Sequence, residues 1–327
     1  MLTDTINWGI IGCGDVTEVK SGPAFNKVPG SKLVAVMRRH AAKAADYARR
    51  HQVPRWYDDA SRLIHDQEVN AIYIATPPSS HEEYALAALE AGKPVYVEKP
   101  MAMNYAAAKK IAETAAAKNI KLVVAHYRRE WPLFRKLKEL VDTKAIGNIH
   151  LIRLALYKTA YTEAQLADES IAWRTNAAVS GGGIFHDLAP HQLDILYHIF
   201  GDVKRVSGLA LNQAGHYAAD DLVSGTMLFN NGIVFSGDWC FNAHEQSDRC
   251  EFIGDKGKIS FSFFGGGGIE LLTGDVSTHI DFDALQHVQQ PMIARTVQYF
   301  LDNAGNPCTG EEGAEVMRLI EGFVHDL

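Results

Sequence analysis

In the first 125 residues short apolar runs alternate with helical stretches, and that rhythm limits the fold more than anything else in the chain. "INWGII", "KLVAVM", "AIYIAT", "PVYVEK" and "KLVVAH" have strand length and are rich in valine and isoleucine. Between them, "HAAKAADYARRHQ", "HEEYALAALEAG" and "NYAAAKKIAETAAAKN" have helical composition and amphipathic spacing. Strands joined through helices pair in parallel, so the region is predicted to be α/β, with a doubly wound parallel sheet. Gly92 and Lys93-Pro94 close one helix and open the next strand. One crossover is irregular. In "VTEVKSGPAFNKVPG" the pair Gly22-Pro23 interrupts the first helix, which predicts a short or broken helix starting afresh at Pro23.

From about Trp131 the pattern changes. The helix "PLFRKLKELVD" leads to the strand "IHLIRLALY", and a polar loop leads to a long helix around "FHDLAPHQLDILYHIF". The strands "VKRVSGLAL", "LVSGTMLF", "GIVFSGDWCF", "CEFIGD" and "GKISFSFF" then follow without helices between them, with "NNG" and "GDKG" as hairpin turns. This predicts an α+β second domain on an antiparallel sheet, closed by helices at "MIARTVQYFLD" and "EEGAEVMRLIEGFVHD". The expected domains are therefore 1–125 and 126–327. The "GGGG" run at 265–268 lies between strands and reads as a flexible loop rather than a phosphate loop.

Composition narrows the function classes. A net charge of -7 argues against nucleic acid or an anionic membrane as the main partner. No apolar run approaches the ~20 residues of a membrane span, and the N-terminus lacks the basic segment of a signal peptide. Cys13, Cys240, Cys250 and Cys308 are scattered without C-x-x-C spacing, so they read as reduced thiols of a cytoplasmic protein.

The first strand ends in "GCGDVT", where Gly12, Gly14 and Thr17 fill the three places of G-x-G-x-x-G. Gly12 permits a tight turn, Gly14 lets a pyrophosphate approach the backbone, and the segment Asp15, Val16, Thr17 opens the helix whose N–H groups face the anion. Thr17 departs from the usual Gly or Ala; its hydroxyl could cap the helix or reach a phosphate. The second strand then ends in "VAVMRRH", with Arg38 and Arg39 where an NAD-selecting carboxylate would stand. Guanidinium groups suit a 2′-phosphate, so NADP(H) is the expected cofactor and NAD(H) the alternative.

"VYVEKP" places Glu98, Lys99 and Pro100 at the carboxyl end of a strand, where open α/β sheets bind ligands, so Glu98 and Lys99 are expected to contact the cofactor. Farther on, Asp187 and His191 stand four residues apart, with Asp194 and His198 continuing the same helical face. Gly181, Gly182 and Gly183 precede them and let the chain come close to a ligand. His191 suits general acid/base work near neutral pH. A metal set of His186, Asp187, His191 and Asp194 is the weaker reading, because a nicotinamide cofactor would make a metal unnecessary; no metal is expected.

Taken together, "GIIGCGDV", "ATPPSSH", "GKPVYVEKP" and "WRTNAAVSGGGIFHDLAPHQLD" resemble the glucose–fructose oxidoreductase/inositol dehydrogenase (Gfo/Idh/MocA) family over nearly the whole chain. The resemblance implies an N-terminal Rossmann domain that binds NAD(P) and a C-terminal α+β domain with a large, mostly antiparallel sheet. That sheet often forms homodimer or homotetramer interfaces in the family. The resemblance further implies Lys99 as the catalytic lysine, Asp187 and His191 near the substrate with His191 the acid/base, and Thr76, Pro77, Pro78 and His81 on the cofactor loop. Trp173 and Arg174 match the family's "WR" pair near cofactor or substrate. Tyr127 stands where many members have Asn, and Ala189-Pro190 replaces a frequent x-Gly, so the substrate pocket is the part least fixed by the resemblance. Lys20 and Ser21, in the irregular crossover, are further candidates to face the cleft.

The expected activity is hydride transfer between nicotinamide C4 and a secondary hydroxyl or carbonyl of a sugar or polyol. Two rivals are a redox-lyase that recycles a tightly bound cofactor and a non-catalytic NADP sensor, the latter disfavoured by intact Lys99, Asp187 and His191.

Overall fold

The computed structural model describes residues 4–324. They divide into two compact units, residues 4–128 with 285–317, and residues 129–284 with 318–324.

The first unit is built on six strands: β1 (Ile6–Ile11), β2 (Ser31–Met37), β3 (Arg55–Tyr57), β4 (Ala71–Ile74), β5 (Val95–Val97) and β6 (Leu122–Val124). All neighbours are parallel, in the order β3-β2-β1-β4-β5-β6. Trp8, Ile10, Ile72, Tyr73, Val95 and Val97 are fully buried, as expected of parallel strands covered on both faces. The chain winds outward from β1 to β3 and then returns to place β4 on the other side of β1. The strand ends at β1 and β4 are therefore the switch point at which such sheets bind ligands. Strand β3 was not legible as an apolar run, since "RWY" is a three-residue edge. The irregular crossover is two short helices, Asp15–Val19 and Gly22–Phe25, with Pro23 in the first turn of the second, in agreement with the reading of Gly22-Pro23.

Residues 285–317 follow the second sheet in the chain but pack into this unit. Phe300, at the end of the helix Gln290–Phe300, meets the Trp8 ring at 5.5 Å.

The second unit holds eight strands: β7 (Ile149–Tyr157), β8 (Val203–Leu211), β9 (Leu222–Phe229), β10 (Val234–Cys240), β11 (Ser247–Gly254), β12 (Gly257–Phe261), β13 (Ile269–Thr273) and β14 (Val276–Ile280). Their order is β14-β13-β12-β11-β7-β10-β9-β8, antiparallel throughout except for the β7–β10 pair. The helix Ile184–Phe200 lies on this sheet. Its face is set by Phe185 packed edge-on to Trp239 at 5.0 Å, by the Trp239 indole N–H donating to Gln192 Oε1 at 2.6 Å, and by Phe200 against Phe252 at 5.0 Å. With that face fixed, the positions of Asp187 and His191 follow from the helical repeat. Pro190 sits inside the helix and has no N–H to give to the helical ladder.

Among the described residues no helix is long and apolar enough to cross a membrane. All four cysteines are free thiols.

Candidate active site

In the first unit the glycine turn and three neighbouring loops converge at the switch point. Gly12 has φ +95°, and a Cβ there would lie 2.8 Å from Thr76 Cγ2 and 2.9 Å from the Ala75 backbone. Only glycine fits both the conformation and the space. Gly14 is the opposite case: a Cβ would meet nothing nearer than the Gly12 carbonyl at 4.0 Å, so its outer side is open to close approach. Asp15 is exposed and Val16 half-buried at the start of the helix. Arg38 sits over the same turn, its Nη1 donating to the Cys13 carbonyl at 3.3 Å, and Arg39 beside it is exposed. Burial pushes the Cys13 thiol up to about 11, so it is neutral in the turn.

Three expected contact residues turn inward. Thr17 is fully buried and its hydroxyl donates to the Gly14 carbonyl at 2.7 Å, so it fixes the turn and is not placed to reach a phosphate. His81 is fully buried, with Nε2 2.8 Å from the Thr76 carbonyl and Nδ1 2.9 Å from the Pro100 carbonyl. Burial lowers its pKa, and its part is to tie the loop after β4 to the loop after β5. Ser21 is fully buried as well, its hydroxyl donating to the Val16 carbonyl and lying 3.2 Å from the Tyr73 hydroxyl oxygen, while Lys20 next to it is exposed. Pro77 is exposed and Pro78 buried on the loop that His81 anchors.

Glu98 and Lys99 follow β5, and the Lys99–Pro100 peptide is cis. Lys99 is half-buried, whereas Glu98 is buried in a polar cluster that no motif announces. One carboxylate oxygen accepts from the Tyr73 hydroxyl and from Gln289 Nε2; the other accepts the Lys99 backbone N–H at 3.2 Å. Burial raises the Glu98 pKa, and the hydrogen bonds from Tyr73 and Gln289 and the Lys99 charge oppose it. Glu98, expected to contact the cofactor, is therefore turned inward and supports the strand end from within. Tyr127, 6 % exposed, opens the short turn after β6, with the Arg128 guanidinium 5.8 Å from its ring centre.

In the second unit the triple glycine delivers the helix Ile184–Phe200. Gly181 is left-handed at φ +93° and ends the short helix Ala177–Ser180. Gly183, at φ +86°, presses against Ala219, whose Cβ would be 2.4 Å from an added methyl. A Cβ at Gly182 would collide with the His186 ring at 2.1 Å. Asp187 accepts from Arg174 Nε at 3.0 Å, and that guanidinium lies 4.6 Å over the Trp173 ring. The two residues of the "WR" pair and Asp187 are therefore one cluster. Tyr161 belongs beside it: burial raises its phenol pKa, with the Arg174 charge opposing and the Asp187 charge adding. His191, one turn beyond Asp187, is 5 % exposed and meets Phe264 edge-on at 5.9 Å.

Asp194 turns away from this group into a buried ion pair with Arg129, with Arg129 Nη2 2.7 Å and Nε 3.0 Å from Oδ1. The Asp187-to-His198 stripe therefore splits, its first member with Arg174 and its third in the interior. Phe264 and Tyr161 were missed because neither carries a motif.

Sequence comparisons agree with this architecture. Residues 6–126 match the oxidoreductase family, NAD-binding Rossmann fold, and residues 134–260 match the GFO/IDH/MocA C-terminal domain. A protein named oxidoreductase P35 from Formosa agariphila is 47% identical over 320 residues, spanning 97% of this chain and 98% of that one. This chain belongs to the GFO/IDH/MocA oxidoreductase family. It is an NAD(P)-dependent oxidoreductase by that membership. The levoglucosan dehydrogenase of Pseudarthrobacter phenanthrenivorans is 28% identical over 294 residues, covering 79% of this chain and 74% of that one. A levoglucosan dehydrogenase structure in complex with NADH and levoglucosan shares the fold at TM-score 0.87 and 22% identity, over 98% of this chain and 96% of that one. Relatives such as levoglucosan dehydrogenase, 1,5-anhydro-D-fructose reductase and trans-1,2-dihydrobenzene-1,2-diol dehydrogenase are named as dehydrogenases and reductases, and they give the redox-lyase alternative no support.

Proposed function

We propose that this oxidoreductase interconverts a secondary hydroxyl and a carbonyl on a sugar or polyol, with NADP(H) as the preferred cofactor and NAD(H) second. The observation that carries the reading is the pairing of Asp187 with Arg174 one helical turn before a buried histidine, on a helix delivered by three glycines. Named relatives add weight, since levoglucosan dehydrogenase and 1,5-anhydro-D-fructose reductase act on sugar derivatives by their names.

The first unit fits a dinucleotide. Gly14 leaves the backbone open, Gly12 excludes any side chain from the turn, and Arg38 is held over it by the Cys13 carbonyl. Arg38 and Arg39 would take a 2′-phosphate, and the segment Asp15, Val16 with the Thr76, Pro77, Pro78 loop would line the remaining contact. A bound nicotinamide supplies the hydride chemistry. The chain's own residues do the rest. His191 takes the hydroxyl proton in oxidation and returns it in reduction. Lys99 places a positive charge on the reacting oxygen and favours its alkoxide form. Asp187 holds Arg174 in place and orients the substrate hydroxyls, with Trp173 and Tyr127 as further wall residues.

Lys99→Ala and His191→Ala are each expected to lower turnover by ~10²-fold or more, the scale of lost acid/base assistance. Steady-state rates on a cyclic polyol or aldose at saturating cofactor test this. Near-wild-type turnover in both variants would overturn the assignment.

The same reading extends to assembly and location. Leu209, Leu211, Val234 and Leu272 are exposed on one side of the large sheet, which supports a homodimer or homotetramer through that face; the location expected for the enzyme is cytoplasmic.

A further inference from the structure

Gln289 lies 191 residues from Glu98 in the chain, yet its side chain is fully buried against it. Its amide donates to one Glu98 oxygen, and its own oxygen accepts from the Tyr96 hydroxyl at 3.3 Å. Its backbone N–H donates to the Lys20 carbonyl at 3.2 Å, which fixes where the side chain enters. The second Glu98 oxygen accepts the backbone N–H of Lys99. Tyr73, also fully buried, completes the set by donating to Glu98 while in contact with Ser21.

We infer that Gln289 is a positioning residue for Lys99, acting through Glu98. A buried carboxylate needs donors to stay ionised, and Glu98 has three: the Tyr73 hydroxyl, the Gln289 amide and the Lys99 backbone. Two of them fix its rotamer, so the third fixes the Lys99 main chain. The Glu98 charge also stands beside the lysine charge. Removing the Gln289 donor raises the Glu98 pKa further, because burial then acts less opposed. Less negative charge then stands beside the Lys99 ammonium. The signature is thus a displaced alkaline limb, which lost packing alone would not produce.

This inference rests on the proposed role of Lys99, and the experiment separates the two. The pH profile of kcat/KM is measured for the full-length wild type, Gln289→Met, Lys99→Ala and the double variant. Gln289→Met is expected to lose about tenfold or more in kcat/KM and to move its alkaline limb to lower pH. In the Lys99→Ala background the same substitution is expected to cost less than threefold, because the effect passes through the lysine. Glu98→Gln, which keeps the shape and removes the charge, is expected to move the limb in the same direction and serves if Gln289→Met does not fold. A Lys99→Ala variant that is crippled beside Gln289→Met or Glu98→Gln variants with wild-type limbs would overturn the inference and leave the Lys99 role intact. Near-wild-type activity in Lys99→Ala would overturn both.

Discussion

Gly12 and Gly14 share a motif but have different tasks. The first is glycine because φ +95° and contact with Thr76 and Ala75 leave no room for a side chain; the second is glycine because the space beside it is kept clear. Gly12→Ala is expected to cost about 1–3 kcal/mol from the backbone conformation alone. Gly14→Ala should be nearly neutral for the apo fold, yet weaken dinucleotide binding. Thermal unfolding with and without NADPH separates the two, since only the second variant should keep its apo melting temperature while losing the ligand-induced rise. Arg38 and Arg39 make a different prediction. Replacing both with alanine should raise KM for NADP by tenfold or more and leave KM for NAD within a few-fold, because on the proposed reading it is the 2′-phosphate that the guanidinium groups take.

At the scale of elements, the helix Ile184–Phe200 shows why part of the site was legible in the sequence and part was not. The i, i+4 spacing of Asp187 and His191 and the glycines before them point to a ligand-facing start, and the structure puts Asp187 beside Arg174. What the spacing does not carry is that Asp194 leaves the stripe for Arg129, 65 residues away in the chain. That pair is 2 % and 1 % exposed on its two side chains. Asp194→Ala would leave a buried guanidinium without its carboxylate, at about 3–5 kcal/mol, read as a lowered melting temperature. The polar assignments for Thr17 and His81 went the same way: residue type and position were readable, but the direction of the side chain depends on carbonyls brought in by other loops. Strands β13 and β14 were not legible because "IELLT" and "VSTHI" lack strong alternation, and β14 is almost wholly exposed. On β11, Glu251 accepts from Lys258 across the β11–β12 pair and from Arg249, and the Lys258 hydrogen bond leads in holding its carboxyl down to about 2. A depressed acid stabilises above its ordinary value near 4.5 and loses that contribution as pH falls toward 2. The wild type should therefore melt higher than Glu251→Gln at pH 6, with the gap shrinking below about pH 4.5.

At the scale of the whole molecule, the first unit follows from the rhythm of its strands and helices, and the second from hairpin turns between strands. The return of residues 285–317 to the first unit had no local signal. It rests on contacts such as Gln289 with Glu98 and Phe300 with Trp8, which join segments far apart in the chain. On the proposed reading these parts serve one hydride transfer on a sugar or polyol. The most direct measurement is absorbance at 340 nm with purified protein, offering NADP or NAD with cyclic polyols and aldoses, and NADPH or NADH with the matching keto sugars. The expected result is a substrate-dependent signal that is stronger with the phosphorylated cofactor. No signal with any substrate, from protein shown to bind the cofactor, would contradict it.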